Sequence, residues 1–420
     1  MKRNIWSLLL VVSLVLAMFG CAQPASNIAP QATTAPSTEA TKPPAVSVIK
    51  LGGFFPLTGG TAKVGIENRQ GLQMAIDEIN AAGGIKSLGG AKIEMVWGDS
   101  QGKPDVGISE VERLVQQEQV VAILGGYESS VSTPATQAAE RLKTPFIVAA
   151  SIADTITERG FKYTFRVASK ASYYARDQVE FLKSLKDTMG LDVKKVALLH
   201  EDTDYGESTA VGQKKYLQEA GMEMTIEVKY PSSAADLTTE ISKVKSTNPD
   251  AVLVVTYLND AILLAQGREA LGMKNTPFVD AAGGSLYAEF TQRLGKTAEG
   301  WLSIVEFSPQ APKTKTINDR YKAKYGVDFS GNSALNYQVG MVIWDALERA
   351  GSLDRDAVRD AIAATKLTGD KVILPMDTLY FDETGQNPQS GLYVGQVQNG
   401  QLIPVWPPAG AVAKLQPFGQ

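Results

Sequence analysis

The chain has 420 residues, with 41 Lys and Arg against 45 Asp and Glu, one histidine and one cysteine. A formal net charge of −4 without a clustered run of Lys or Arg argues against a nucleic-acid partner. A single cysteine excludes an internal disulfide, a zinc–cysteine cluster or cysteine catalysis in the folded part, and a single histidine leaves little for a hydrolytic triad.

Lys2 and Arg3 open the chain, an apolar run from Leu8 to Phe19 follows, and Gly20 precedes Cys21. The run is short for a membrane span, so residues 1–20 are read as a secretory signal. The segment resembles a lipobox, with Met18 and Phe19 standing where Leu and a small residue are usual. Cys21 is therefore the expected point of cleavage and lipid attachment, and ordinary cleavage nearby is the alternative. Loss of Lys2 and Arg3 with the signal takes the net charge from −4 to −6. Residues 22–46, "AQPASNIAPQATTAPSTEATKPPAV", carry only Glu39 and Lys42 as charges and show no apolar period. A Pro/Ala/Thr/Ser tract cannot bury enough to offset its ordering entropy, which predicts a disordered linker over 21–46.

The body, about 47–420, is long for one core and suits two lobes. "VSVIKLGGFFP" is strand-like, and "ENRQGLQMAIDEIN" carries Leu72, Ala75, Ile76 and Ile79 at helical spacing until Gly83 and Gly84 stop it. "KIEMVWGD", "VVAILGG", "PFIVAA", "KVALLH", "DAVLVVTY" and "TPFVDAA" are further strands, mostly separated by helical stretches. Continuous apolar strands between helices predict α/β architecture with parallel sheets covered on both faces. The pattern changes near 375–405, where strands with turns at Thr384-Gly385 and Asn399-Gly400 are expected.

Two loops invite attention. "GGYESSVS" follows one apolar strand and "AASIADT" follows the next, each offering small residues, hydroxyls and the first amides of a helix. Ligands in open parallel sheets sit beyond the C-terminal ends of strands, and helix starts favour an anionic group. Two readings stand side by side: a clamp for one small carboxylate, or plain helix capping by Ser130 and Ser132.

Five segments together carry a resemblance to a known family: "FFPLTGGTAKVGIENRQGLQMAIDEINAAGGI", "GGYESSVS", "PFIVAASIADTIT", "VALLHEDTDYGES" and "AEGWLSIVEFSP". They resemble the leucine/isoleucine/valine-binding family of type I periplasmic binding proteins, over essentially all of 47–410 and in the same order. That resemblance implies two doubly wound Rossmann-like lobes joined by a three-segment hinge and closing on a ligand. The first lobe would take 47–168 plus 299–376, and the second 169–298 plus 377–412. With the lipid anchor expected at Cys21, it also implies an extracytoplasmic monomer that hands a small ligand, a branched-chain or other hydrophobic amino acid or a related carboxylate, to the permease subunits of an ABC importer. No cofactor, metal or catalytic activity is expected of such a protein; the alternatives are the same fold binding a non-amino-acid solute (an aromatic carboxylate, amide or urea-like molecule) or a tethered ligand sensor.

Carried over position by position, the resemblance implies that Ser129 and Ser130 bind the ligand carboxylate. Ala150 would add a backbone carbonyl and Ser151 a hydroxyl. Tyr205 would form an aromatic wall, its other reading being a cover over a strand end, and Tyr257 would close over the ligand. Amino-acid binders of this family place an acid opposite the ligand ammonium, but the aligned residue here is Ala282. The loop's only carboxylate, Asp280, lies two residues earlier, so either Asp280 is that partner or the ligand lacks an ammonium.

His200, at a strand end, is expected to be a satisfied structural histidine. "DTDYGE" (202–207) superficially resembles a calcium loop but has Gly206 in a ligand place and no glutamate twelve along. Phosphate-cradling and nucleophile-elbow motifs are absent from the sequence.

Overall fold

Continuous runs of Val, Ile, Leu and Phe supply the strands, and the computed structural model describes residues 47–389 and 391–419. The signal, Cys21 and the linker of 21–46 lie outside the described residues. Five short strands, β1 (Val48–Phe55), β2 (Lys92–Asp99), β3 (Ile123–Gly125), β4 (Phe146–Val148) and β5 (Thr164–Arg166), form a parallel sheet in the order β2-β1-β3-β4-β5. Every residue of β3, β4 and β5 is buried, as expected of strands covered on both faces.

A second sheet contains β6 (Lys195–Glu201), β7 (Glu223–Tyr230), β8 (Ala251–Val255), β9 (Phe278–Asp280) and β10 (Leu302–Val305). A small two-stranded sheet pairs β11 (Lys366–Thr368) with β12 (Thr378–Tyr380), and β13 (Tyr393–Gln398) and β14 (Gln401–Trp406) extend the second sheet. Its order is β14-β13-β10-β9-β8-β6-β7, parallel through β10 and antiparallel beyond it. Asn399 and Gly400 take φ of 53° and 74° at the β13–β14 turn, the left-handed pair that a two-residue hairpin needs.

The helices of the first lobe are α1 (Ala62–Ala81), α2 (Pro104–Gln116) and α3 (Ser129–Arg141). Those of the second are α4 (Ala171–Met189), α5 (Asp204–Glu219), α6 (Thr238–Ser246), α7 (Leu258–Ala270) and α8 (Ala288–Leu294). The chain then returns to the first lobe with α9 (Pro312–Tyr325), α10 (Gly331–Ala350) and α11 (Arg355–Ala363). Tyr321 of α9 donates to Glu67 O of α1, and Arg355 of α11 bonds the carbonyls of Val115 and Val120. A capping box between Ser330 and Ser333 fixes the start of α10.

The lobe boundaries need correction at two crossings. The boundary at 299 would put β10 in the first lobe, yet Leu302–Val305 is buried and pairs with β9 on one side and β13 on the other. The second crossing therefore falls between Val305 and Pro312. The boundary at 377 would put β12 in the second lobe, but β12 pairs with β11 after α11. The third crossing runs between Tyr380 and Tyr393, where Asn387 is tied to the first crossing by bonds to Arg166 O and Val167 O. Short apolar strands look alike from either lobe; long-range pairing decides which sheet takes them.

Candidate ligand-binding site

In both sheets the strand order reverses beside the first strand: β1 lies between β2 and β3, and β6 between β7 and β8. Crevices open beyond the C-terminal strand ends at such reversals. Gly125 and Gly126 turn the chain from β3 toward α3 with φ of 121° and 91°. A Cβ at Gly126 would meet Ser132 Oγ at 2.8 Å, so the turn requires glycine for its conformation and for space. Ser132 Oγ and Ser151 Oγ lie 2.6 Å apart, stitching the loop after β3 to the loop after β4.

These strand ends enclose a cleft of about 310 Å³, counted with its opening to solvent. The first lobe lines it with Tyr127, Ser129, Ala150, Ile152 and Asn332. The second lobe contributes Tyr174, Tyr205, Tyr257 and the turn Ala281–Gly283. Tyr257 stands between the other two rings, its centroid 5.6 Å from Tyr127 and 5.4 Å from Tyr205. Tyr205 donates from its hydroxyl to Ala281 O at 2.6 Å, which fixes the ring against the turn. The hydroxyls of Tyr127 and Tyr257 are buried without a hydrogen-bond partner; Tyr287 and Thr203 approach them short of bonding geometry.

Four of the expected site residues, Ser129, Ala150, Tyr205 and Tyr257, are brought to this cleft. The other three stand back from it. Ser130 is the half-buried second residue of α3 and does not line the cleft. Ser151 is buried and gives its hydroxyl to the contact with Ser132. Asp280 is buried behind the Ala281–Gly283 turn, where its Oδ2 accepts from Thr256 Oγ1 at 2.8 Å and Ser285 Oγ at 2.7 Å. Its Oδ1 has no partner, and burial pushes its carboxyl well above the ordinary range. Neither Ser130 nor Ser132 caps α3: Glu128 holds the N-cap position and no side chain bonds the first turn. Ser129 Oγ instead accepts from the Ala153 amide at 3.2 Å.

Several lining residues escaped the sequence reading. Tyr127 and Ile152 lie inside the two loops already singled out, where an aromatic and an aliphatic side chain among small residues were available signals. Asn332 opens α10, far along the chain, and nothing local marks it. Its Nδ2 donates to Tyr287 Oη at 2.7 Å, and that hydroxyl donates to Asn68 Oδ1 at 3.3 Å, so the lobes touch directly. Two more bridges join them: Lys63 Nζ to Glu289 Oε2 at 2.5 Å, and the Asp154 amide to Ser208 Oγ at 2.9 Å. Tyr174 donates to Glu306, a fully buried carboxyl in the second crossing that burial pushes up to about 8.

The eleven lining residues include no carboxylate. Behind the second wall, Asp280 has Asp260 for company, and burial pushes Asp260 up to about 7. His200 is buried, with Nδ1 2.9 Å from Glu201 O and Nε2 3.3 Å from Glu227 Oε1, and takes no part in the cleft. Among the described residues no group of three His, Cys, Asp or Glu is placed to hold a metal ion, and no helix is long and apolar enough to cross a membrane.

Residues 48–401 match the periplasmic binding protein family. The Leu/Ile/Val-binding protein homolog 7 of Brucella suis biovar 1 is 32% identical over 383 residues, covering 89% of this chain and 95% of that protein. A leucine-binding protein, LivK, of Thermotoga maritima superposes with a TM-score of 0.75 at 26% identity, covering 84% of this chain and 97% of its own. LivJ of Streptococcus pneumoniae, solved with isoleucine, gives a TM-score of 0.73 at 26% identity with the same coverage.

Proposed function

This chain belongs to the periplasmic binding protein family, and we propose on that footing that it captures a hydrophobic amino acid, branched-chain ones first, for an ABC importer. The observation that carries the reading is the cleft itself: small residues and a helix start on one lobe face three tyrosines on the other. The Ser129 and Ser130 amides at the start of α3 find no acceptor among the described residues, whereas those of Val131 and Ser132 bond Glu128 O; with the Ser129 hydroxyl, the two free amides suit a carboxylate. Tyr174, Tyr205 and Tyr257 offer flat apolar area to a side chain. The ammonium would be met from behind the second wall by Asp280, whose free Oδ1 is a buried acceptor short of a donor.

A second reading is favoured by the lack of any carboxylate in the lining. An aromatic acid, or another carboxylate without an ammonium, would leave no cation to compensate and would stack on the tyrosines.

Closure would sequester the ligand between the lobes by hinge motion at the three crossings. We place the protein outside the cytoplasm, tethered through lipid on Cys21 with 22–46 as a spacer. Replacing Cys21 by Ser is expected to move it from the membrane to the soluble fraction; retention after a high-salt wash would refute this anchor. A thermal-shift screen of amino acids, aromatic acids and amides tests the ligand class. A ligand at 100 times its Kd adds roughly 2.7 kcal/mol of stability, and stabilisation by amides alone would refute the carboxylate reading.

A further inference from the structure

Arg166 ends β5 behind the first wall, fully buried, and every acceptor it meets is neutral. Its Nε donates to Gln386 Oε1 at 2.6 Å and its Nη2 to Thr157 Oγ1 at 3.0 Å. Its Nη1 donates to Ala153 O at 2.6 Å and, at the long distance of 3.4 Å, to Ser151 O. Asp154, Glu158 and Asp382 act on it only through space, and burial lowers its pKa to about 10, which leaves it charged at neutral pH.

The carbonyl and N–H of a trans peptide point in opposite directions. With the Ala153 carbonyl turned back to the guanidinium, the following Asp154 N–H faces the second lobe, where it meets Ser208 Oγ at 2.9 Å. The Ser151 carbonyl sets up the same arrangement for the Ile152 N–H. Ile152 lines the cleft, and its amide finds no acceptor among the described residues. A cation buried without a hydrogen-bonded counter-ion is costly unless something offsets it.

We infer that Arg166 is a positioning residue for the ligand: its charge, bonded to no carboxylate and set behind the 151–153 backbone, makes the cleft prefer a carboxylate over the matching neutral amide. Its fork also aims the Ile152 N–H at that carboxylate. The inference rests on the proposed function, which puts the ligand carboxylate at the first wall. Gln386, on the third crossing, donates to Ala168 O at 2.8 Å, so the same guanidinium is braced against the hinge.

The test is calorimetry on the purified protein with two acid–amide pairs, L-leucine with L-leucinamide and benzoate with benzamide. In Arg166→Met the acid-over-amide affinity ratio is expected to fall by on the order of tenfold, the effect of a unit charge several ångströms away in a partly polar medium. Arg166→Lys keeps the charge and is expected to keep the ratio. Gln386→Glu is a second route to the same result: it is nearly isosteric, sets a carboxylate against Nε, and cancels the charge without deleting the guanidinium. If Arg166→Met does not fold, Gln386→Glu decides. A folded Arg166→Met or Gln386→Glu protein with the wild-type ratio overturns the inference and leaves the carboxylate reading intact. Equal wild-type affinity for acid and amide, or no binding of either pair, overturns that reading and the inference with it.

Discussion

On the first wall of the cleft a solute would meet Ser129, Ala150 and Ile152, with their backbone close behind; on the second it would meet Tyr205, Tyr257 and the Ala281–Gly283 turn. The layers behind these walls differ as sharply. Arg166, a cation bonded only to neutral acceptors, backs the first, while Asp280 and Asp260, carboxyls held toward their neutral forms by burial, back the second. Shape and apolar area are supplied at the surface, and charge is supplied one layer deeper. Substitutions on the two walls should therefore fail differently.

The largest effect is expected at Gly283, which takes φ of 77° and leaves a Cβ only 2.0 Å from Thr256 O. Gly283→Ala must displace the turn that carries Ala281 and Ala282 and holds Tyr205. A loss of at least about 1–3 kcal/mol in denaturant-measured stability is expected, with loss of ligand binding. Wild-type stability in this variant would show that the second wall is looser than described.

Next come paired substitutions that separate the walls. Tyr257→Ala removes an aromatic face, and a loss of about 1–3 kcal/mol in binding should fall equally on L-leucine and L-leucinamide. Ser129→Ala removes a hydroxyl suited to the carboxylate, and about 1.5–3 kcal/mol, roughly tenfold or more, should be lost from the acid first. Calorimetry on both variants with both probes would break the comparison if Ser129→Ala weakened acid and amide alike.

A smaller effect is expected at the hinge, where Tyr174 of the second wall bonds Glu306. Burial raises Glu306 from 4.5 to about 8, so the folded protein keeps a proton that the unfolded chain gives up above 4.5. Its stability is therefore fullest below pH 4.5 and is lost as pH rises toward 8. Glu306→Gln abolishes that titration. The stability of the variant relative to wild type should increase by about 2 kcal/mol between pH 6 and pH 8. Parallel stability curves across that range would remove Glu306 from the account.

The sequence made the first wall far more legible than the second. Ser129 and Ala150 follow apolar strands directly, so local order marks them as residues at strand ends. Tyr205 and Tyr257 came from a family resemblance, because a tyrosine near a strand end has no local signature of facing a ligand. Asn332 and Tyr174 arrive from helices whose docking depends on contacts across the whole chain. Arg166 lies just before the expected lobe boundary at 168 and carries no local signal of its own; its burial depends on Gln386, more than two hundred residues later. β7 went unread for a different reason: as an edge strand it buries only two of its eight residues and lacks a continuous apolar run. The misplaced boundary at 299 followed from the same limit, since the apolar run of β10 suits either sheet until β9 and β13 claim it.

The central claim is that both walls close on one solute, and small-angle scattering of the protein with and without the strongest ligand from the screen tests it most directly. A smaller radius of gyration is expected once ligand saturates the protein, with the bound state matching the arrangement in which Tyr287 meets Asn68 and Asn332. An unchanged radius at saturation, with binding confirmed by calorimetry on the same sample, would contradict it.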